Sequence, residues 1–132
     1  MRLGYVILYV PDVLATVEFY ERAFSIARRF IHDSGQYGEM ETGATALAFV
    51  AEAMISADGQ RYRPNRPEGE PAGAEIALVA DDVQAAYAQA VEAGAVGHAA
   101  PAEKPWGQTI AYVRDLNGFL VELCTAMGIE QG

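Results

Sequence analysis

The sequence predicts an α+β fold in which two tandem βαβββ modules form curved mixed sheets around a cavity. Short apolar runs with a period of two, typical of strands, alternate with two segments of helical periodicity. The order strand, helix, strands occurs twice along the chain, as an internal duplication requires. We expect one domain spanning residues 1–132, with a first module at about 1–52, a linker at about 53–73 and a second module at about 74–126.

Seven short runs predict strands, and the linker is predicted from its composition. The clearest runs are Tyr5 to Val10, Thr45 to Val50, Glu75 to Ala80, Thr109 to Val113 and Phe119 to Cys124; the weaker ones are Arg28 to His32 and Tyr37 to Glu41. Several of these residues are β-branched or aromatic, which favours strands. Between the modules, a segment with three of the six prolines predicts a surface connection.

Two helices are predicted, each opened by an aspartate that caps its first amides. The first follows Pro11 and Asp12, and the second follows Asp81 and Asp82. Their apolar stripes are Val13, Val17, Tyr20 and Phe24 in the first helix and Val83, Ala86, Tyr87, Ala90 and Val91 in the second. Superposing the halves pairs Asp12 with Asp82 and the Gly35-Gln36 turn with Gly107-Gln108, although identities between the halves are few.

Composition excludes several classes of function. A formal net charge of -9 and a pI near 4.5 leave no basic patch for binding nucleic acid. No run approaches the ~18 consecutive apolar residues of a membrane span. Cys124 is the single cysteine, and the N-terminal strand shows no secretory signal, so a cytoplasmic location is expected.

Two motifs resemble a known group of proteins. The first is Tyr5 to Asp12 followed by Glu18-Phe19-Tyr20, and the second is Tyr112 to Leu123, with a tight turn at Asp115 to Gly118. Both are similar to segments of the vicinal oxygen chelate superfamily, which includes glyoxalases, bleomycin-resistance proteins and extradiol dioxygenases. The resemblance implies the duplicated fold and, because members often complete the cavity with a partner chain, a homodimer.

The resemblance also implies where a divalent metal would bind. Four equivalent strand positions hold histidine and glutamate ligands in the metal-using members, and they fall here on Tyr5, Ala48, Glu75 and Glu122. Only Glu122 matches the usual ligand type, and Ala48 has no ligand atom. We therefore expect no tightly bound metal and no other cofactor, the alternative being a weakly bound divalent metal. His32 and His98 lie elsewhere and receive no role.

Strand alternation predicts the lining of the cavity as an apolar surface with two acids. The inward residues are Tyr5, Ile7, Tyr9, Ala46, Ala48, Val50, Glu75, Ala77, Val79, Leu120, Glu122 and Cys124. Carboxylates in such surroundings must be paired, hydrogen-bonded or protonated. Two interpretations stay open: Tyr5 satisfies them within the protein, or a ligand with an amine, a guanidinium or another donor completes the cluster.

A second candidate group precedes the strand at Thr109 to Val113. Trp106, the only tryptophan, has a flat surface suited to stacking on a planar or apolar ligand, with Gln108 as a polar neighbour. The alternative is that Trp106 packs over the end of the sheet or at a subunit interface. Ligand contacts are therefore expected from Tyr5, Tyr9, Ala48, Trp106 and Gln108.

The leading functional hypothesis is a metal-independent small-molecule binding protein whose ligand is cationic and partly apolar. The rival is a glyoxalase-like lyase or isomerase, with or without the assistance of a metal, in which Glu122 or Glu75 acts as the general base. A purely structural domain is a third class, and the small residues Ala46, Ala48 and Ala77 argue against its filled interior.

Overall fold

A computed structural model of the chain describes residues 1–128. Its elements, in chain order, are β1 (Tyr5–Val10), α1 (Val13–Phe24), β2 (Arg28–Ile31), β3 (Tyr37–Met40), β4 (Ala46–Ala51), α2 (Glu52–Ala57), β5 (Glu75–Val79), α3 (Val83–Glu92), β6 (Val96–Glu103), β7 (Thr109–Arg114) and β8 (Leu120–Cys124). The α+β class and the repeated βαβββ order are confirmed. None of the helices in this part of the chain is long and apolar enough to cross a membrane.

The chain divides into two compact units, Met1–Asn65 and the part from Arg66 onward. The first unit holds a mixed sheet in the order β1-β4-β3-β2, and the second holds β5-β8-β7-β6. In each sheet the outer pair, β1 with β4 or β5 with β8, is parallel and the other pairs are antiparallel. The boundary between the units falls inside the predicted linker. That both modules make one domain around one cavity stays a prediction.

Both long helices begin where the aspartates predict. The Asp12 Oδ1 atom accepts a hydrogen bond of 3.0 Å from the Ala15 amide, and the Asp82 Oδ1 atom accepts one of 3.0 Å from the Ala85 amide. Each bond satisfies an amide that has no partner within its helix, which favours helix formation at that residue. The same capping hydrogen bond from an aspartate therefore begins the helix in both modules.

The core of the first unit lies between α1 and one face of its sheet. Val13, Val17 and Tyr20 are buried on α1, and the Tyr20 ring packs 5.0 Å from the ring of Phe49 on β4. A Cβ atom at Gly38 would lie 3.2 Å from Val13 Cγ1, so this glycine lets helix and sheet approach closely. Each such apolar side chain contributes roughly 1.5–3 kcal/mol when fully buried.

The second unit repeats this arrangement with smaller residues. Val83 and Ala90 of α3 are buried, as are Val113 on β7 and Val121 on β8. Tyr87 of α3 lies directly over Gly97, the register partner of Val113, where an added Cβ atom would collide with its hydroxyl group. The helix therefore covers the face of the sheet that carries Val113. The residues that alternate with it face the other way.

Two elements differ from the sequence prediction. Gly97 to Ala99, which lie outside every predicted strand, are part of β6, an edge strand whose residues are mostly exposed on both faces, so it has no apolar alternation. Its register shifts twice along β7, which further masks the pattern. The predicted linker begins inside α2, a six-residue helix with no buried residue and therefore no apolar stripe to reveal it.

Candidate functional site

The face of the second sheet opposite α3 carries two carboxyl groups. Tyr112 on β7 pairs in register with Glu122 on β8, and alternation places both on the face away from Val113 and α3. Glu75 lies on β5, the parallel neighbour of β8, and its side chain hydrogen-bonds to Glu122. The Tyr112 hydroxyl group donates a hydrogen bond of 3.1 Å to Glu122 Oε1.

A hydrogen bond between two carboxyl groups requires a proton on one of them. The bond to Glu122 raises the pKa of Glu75 to about 7, with burial and the charge of Glu122 adding to the effect. Burial works to raise the pKa of Glu122, but three hydrogen bonds outweigh it and leave that pKa below its usual range. The groups that form them are Glu75, Cys124 and Tyr112. The two carboxyl groups therefore share one proton near neutral pH, which the pair holds more tightly than an isolated glutamate would.

The other two groups of this cluster keep their protons at neutral pH. Burial raises the pKa of the Cys124 thiol to about 11, and its hydrogen bond to Glu122 acts in the same direction. Burial also raises the pKa of Tyr112, again with a contribution from Glu122. Within residues 1–128 neither carboxyl group forms an ion pair with a lysine or arginine. The negative charge of the pair is therefore offset only by a proton and by neutral donors.

The first unit places a different acid on the corresponding face of its sheet. Glu39 on β3 lies opposite Ala48 in the register and is only 7% exposed. The Tyr37 hydroxyl group donates a bond of 2.6 Å to Glu39 Oε2, and Arg29 Nη1 lies 3.3 Å from Glu39 Oε1. The sequence alone does not predict Glu39 as a site residue, because the family positions of this unit, Tyr5 and Ala48, lie on β1 and β4, whereas Glu39 lies on β3. The alternation of Tyr37 and Glu39 around the helix-facing Gly38 is the signal that finds it.

Arg29 neutralises this acid through a larger network. Its Nε and Nη2 atoms bond to the two carboxylate oxygens of Glu41 at 3.0 and 2.7 Å, and Nη2 also bonds to the Gly43 carbonyl oxygen at 3.0 Å. These bonds, first among them those to Glu41, raise the pKa of Arg29. The buried Glu39 carboxylate thus has a cationic partner, unlike the pair in the second unit.

The other predicted residues of the first unit also lie on its sheet. Tyr5 is 57% exposed, and Ala48 is fully buried. The Tyr9 hydroxyl group accepts a hydrogen bond of 3.1 Å from Gln60 Nε2, and the Tyr9 ring lies edge-on to Tyr62 at 5.0 Å. Among the residues 1–128, Glu39 hydrogen-bonds to Tyr37 and Arg29 and not to Tyr5.

Trp106 and Gln108 contact each other at the turn between β6 and β7. The indole N–H donates a bond of 2.7 Å to Gln108 Oε1, and Gln108 Nε2 donates one of 2.8 Å to the Thr125 carbonyl oxygen. Trp106 is 59% exposed and Gln108 only 7%. The structure thus groups Glu75 with Glu122 and Trp106 with Gln108. The ligand-binding and catalytic roles of all the candidate residues stay predictions.

The residues at the four family metal positions do not fit a metal centre of the usual kind. Ala48 has no donor atom, Tyr5 offers a phenol, and Glu75 and Glu122 hold a proton between them. No group of three or more His, Cys, Asp and Glu side chains in the described part of the chain is arranged to hold a metal ion. Divalent centres need three or four well-placed nitrogen, oxygen or sulfur ligands.

Comparisons with known proteins agree with this fold. A family model described as "Glyoxalase/Bleomycin resistance protein/Dioxygenase superfamily" matches residues 2–123. A search of curated proteins finds no match.

Solved structures resemble the chain over nearly its whole length. A glyoxalase-related enzyme from Fulvimarina pelagi shares 19% identity at a TM-score of 0.80, covering 96% of this chain and 88% of that one. A glyoxalase/bleomycin resistance protein/dioxygenase family enzyme from Burkholderia phytofirmans PsJN shares 19% identity at a TM-score of 0.76, covering 95% of this chain and 98% of that one. TioX from Micromonospora sp. ML1 shares 21% identity at a TM-score of 0.70, covering 95% of this chain and 98% of that one. At such identities the likeness shows the fold.

Proposed function

The chain belongs to the glyoxalase/bleomycin resistance protein/dioxygenase superfamily, and from that premise we propose that it is a small-molecule binding protein without a tightly bound catalytic metal. Its ligand is cationic and partly apolar. The observation that carries the proposal is the Glu75–Glu122 pair, two carboxyl groups with a proton between them and no cationic partner in residues 1–128.

The environment of the pair suits an ammonium or guanidinium group. An organic cation that displaces the shared proton offers hydrogen bonds to both carboxylates, and charge-assisted bonds of this kind are stronger than neutral ones. Glu75 is exposed and Glu122 half-buried, so a ligand reaches them without unfolding the sheet. The neighbouring Val79 on β5 is 67% exposed and offers apolar surface beside the charge.

Further contacts are part of the same proposal. We assign an aromatic contact with the ligand to Trp106, whose ring is exposed. The contacts expected from Tyr5, Tyr9 and Ala48 of the first unit stay predictions, and the side chain of Ala48 is fully buried there. We also propose a homodimer in the cytoplasm, where a reducing environment suits the lone thiol of Cys124.

Calorimetric titration with naphthylethylammonium tests this function. We expect Glu122→Gln, which keeps the shape of the side chain but removes its charge, to weaken binding on the order of 10- to 100-fold. The matched control is Glu39→Gln, which removes the other sheet-facing carboxylate and is expected to leave the affinity unchanged. Failure of the wild-type protein to bind organic cations, or equal affinity in Glu122→Gln, contradicts the proposal.

One observation favours an enzyme as a second candidate. A carboxyl group whose pKa is about 7, as for Glu75, is matched to proton transfer at neutral pH. A lyase or isomerase would use Glu75 or Glu122 as its general base, with or without a weakly bound divalent metal. Deuterium exchange at the carbon beside the carbonyl group of α-hydroxyketones, followed by NMR in heavy water, would detect this activity. Exchange that is lost in Glu75→Gln supports the enzyme, and no exchange with the wild-type protein argues against it for these substrates.

A further inference from the structure

We propose that Gln108 is a positioning residue, which holds the ring of Trp106 as a stacking surface for a flat aromatic group of the ligand and does not itself contact the ligand. The inference rests on the proposed function for the ligand, whereas the positioning of Trp106 is testable in the free protein. The sequence leads us to expect that Gln108 contacts the ligand directly, whereas in this inference Gln108 acts on the ligand only through Trp106.

The backbone of the turn fixes the position of Trp106. The Gly107 amide donates to the Lys104 carbonyl oxygen at 2.9 Å, and the Lys104 amide donates to the Gln108 carbonyl oxygen at 2.7 Å. Gly107 has a φ of 102°, in the left-handed region that favours glycine, and Pro105 restricts the chain just before Trp106. The side chain of Trp106 therefore extends from a closed and rigid loop.

A chain of hydrogen bonds fixes the ring itself. Gln108, nine-tenths buried, accepts from the indole N–H at 2.7 Å and donates to the Thr125 carbonyl oxygen at 2.8 Å. Thr125 is in turn held by Thr109, whose amide donates to its hydroxyl oxygen at 3.0 Å and whose carbonyl accepts from its amide at 3.1 Å. The indole is thus tied, through one buried amide, to the ends of both β7 and β8.

Holding an exposed tryptophan in one orientation brings no benefit to the fold alone. Tryptophan stabilises a core by burying its large ring, and Trp106 leaves 59% of its surface in water. Its only polar atom is already bonded to Gln108, so the free part of the ring presents apolar and π surface without a donor. A flat aromatic group matches that surface, because stacking needs the ring face and not the N–H group.

The first unit shows that the turn alone does not require this pair. Its equivalent turn at Ser34-Gly35-Gln36 also contains a glycine in the left-handed region, with a φ of 72°. Ser34 precedes that glycine as Trp106 precedes Gly107, and Gln36, the residue after it, is exposed. The tryptophan and its buried amide therefore occur together in the second unit and are both absent from the matching turn of the first.

The test in the free protein uses the single tryptophan as its own reporter. In protein labelled with ¹⁵N-tryptophan, the one indole N–H resonance is expected to shift upfield and to exchange faster with water in Gln108→Met, which has no amide acceptor. Thr109→Val, which changes a neighbouring side chain but leaves the backbone bonds and Gln108 in place, is the control and should leave the resonance unchanged. An unchanged resonance in Gln108→Met overturns the positioning role.

The test with ligand separates indirect action from direct contact. We expect Gln108→Met to weaken naphthylethylammonium about fivefold, the effect of losing one hydrogen bond, and to leave cyclohexylethylammonium unchanged, since its ring is not flat. Trp106→Ala should lose at least as much, and adding Gln108→Met to Trp106→Ala should cost nothing further. A further loss in the double variant overturns the inference, because Gln108 would then contact the ligand itself.

Two more outcomes are decisive. Trp106→Phe keeps a flat ring but has no N–H group to donate to Gln108. It should therefore lose affinity for naphthylethylammonium, and this test remains if Gln108→Met does not fold. Full affinity in Trp106→Phe overturns the inference.

Sedimentation of Trp106→Ala tests whether the ring binds a second copy of the chain and not a ligand. If the wild-type protein is an oligomer and this variant dissociates, the ligand assignment is overturned. If no cation binds the wild-type protein, the proposed function fails, while the indole resonance still decides whether Gln108 positions Trp106.

Discussion

The two units place similar polar pairs on their sheets but balance the charges differently. In the first, the Tyr37 hydroxyl group bonds to Glu39, and Arg29 supplies the positive charge. In the second, the Tyr112 hydroxyl group bonds to Glu122, and the next group is another carboxyl, Glu75. One acid is satisfied by the protein itself. The other is satisfied by a proton that it shares with a second acid.

The comparison indicates how the halves of a duplicated fold come to differ in their polar side chains. The caps, the strand order and the sheet pairing are the same in both units. The differences lie in residues that alternate with the core positions and therefore change without disturbing the packing. We accordingly interpret the polar cluster of the first unit as structural and that of the second as the binding site. Three changes test this division.

The largest effect is expected from the removal of the tyrosine hydroxyl group in the first unit. Tyr37→Phe should lower the free energy of unfolding of that unit by about 2 kcal/mol, because a nearly buried carboxylate loses a hydrogen bond of 2.6 Å. Hydrogen exchange of the β4 amides measures it. Burial, then the bond to Glu39, raises the pKa of Tyr37, so this hydroxyl group stays protonated as a donor.

The matched variant in the second unit is Tyr112→Phe. Its bond is longer, 3.1 Å, and Glu122 is more exposed, so the β8 amides should lose about 1 kcal/mol or less of protection. Affinity for naphthylethylammonium should change in Tyr112→Phe and not in Tyr37→Phe. The reverse pattern would assign the ligand to the first unit and reject the division.

The next effect concerns pH. With the pKa of Glu75 raised to about 7, the pair carries one negative charge below that pH and two above it. Affinity for an ammonium ligand should therefore be about tenfold higher at about pH 8 than at about pH 6 and nearly constant at higher pH, until the ligand loses its own proton. Titration calorimetry at several pH values measures this rise. In Glu75→Gln the rise of affinity with a midpoint near neutral pH should disappear.

The same shift has a consequence for stability, with a definite sign. The folded state holds the Glu75 proton more tightly than the unfolded chain, where the pKa is near 4.5. Stability of the second unit should therefore fall as pH rises from about 4.5 to about 7 and then level off. Glu75→Gln should flatten this part of the profile, and an unchanged profile would mean that Glu75 does not hold the proton.

The sequence predicts the fold well because the fold depends on repeated local signals. The caps at Asp12 and Asp82 and the apolar period of β4 or β8 can be seen in the residues alone. The edge strand β6 and the short helix α2 escape prediction because neither buries a continuous face. Apolar alternation exists only where one face is covered.

The site is predictable in part, for a similar reason. Glu75 and Glu122 follow from strand parity and from the family positions, but the bond between them depends on the side chains themselves. The pairing of Arg29 with Glu39 depends on an irregular register between β2 and β3, between Arg28 and Phe30, which no period in the sequence encodes. The bond from Trp106 to Gln108 likewise requires the closed turn at Gly107. Contacts across strands are fixed by geometry and not by spacing.

The smallest expected effect tests the shared part of the comparison. Asp12→Ala and Asp82→Ala each remove one cap whose bond is 3.0 Å long, and each should destabilise its own unit by about 1 kcal/mol. Hydrogen exchange in α1 and α3 measures the two losses separately, and neither variant should alter ligand affinity. Asp12→Asn and Asp82→Asn are the controls, since asparagine also caps. Equal losses would show that the two caps contribute the same free energy of unfolding to their units, in addition to having the same geometry. Clearly unequal ones would mean that divergence between the units extends beyond their open faces.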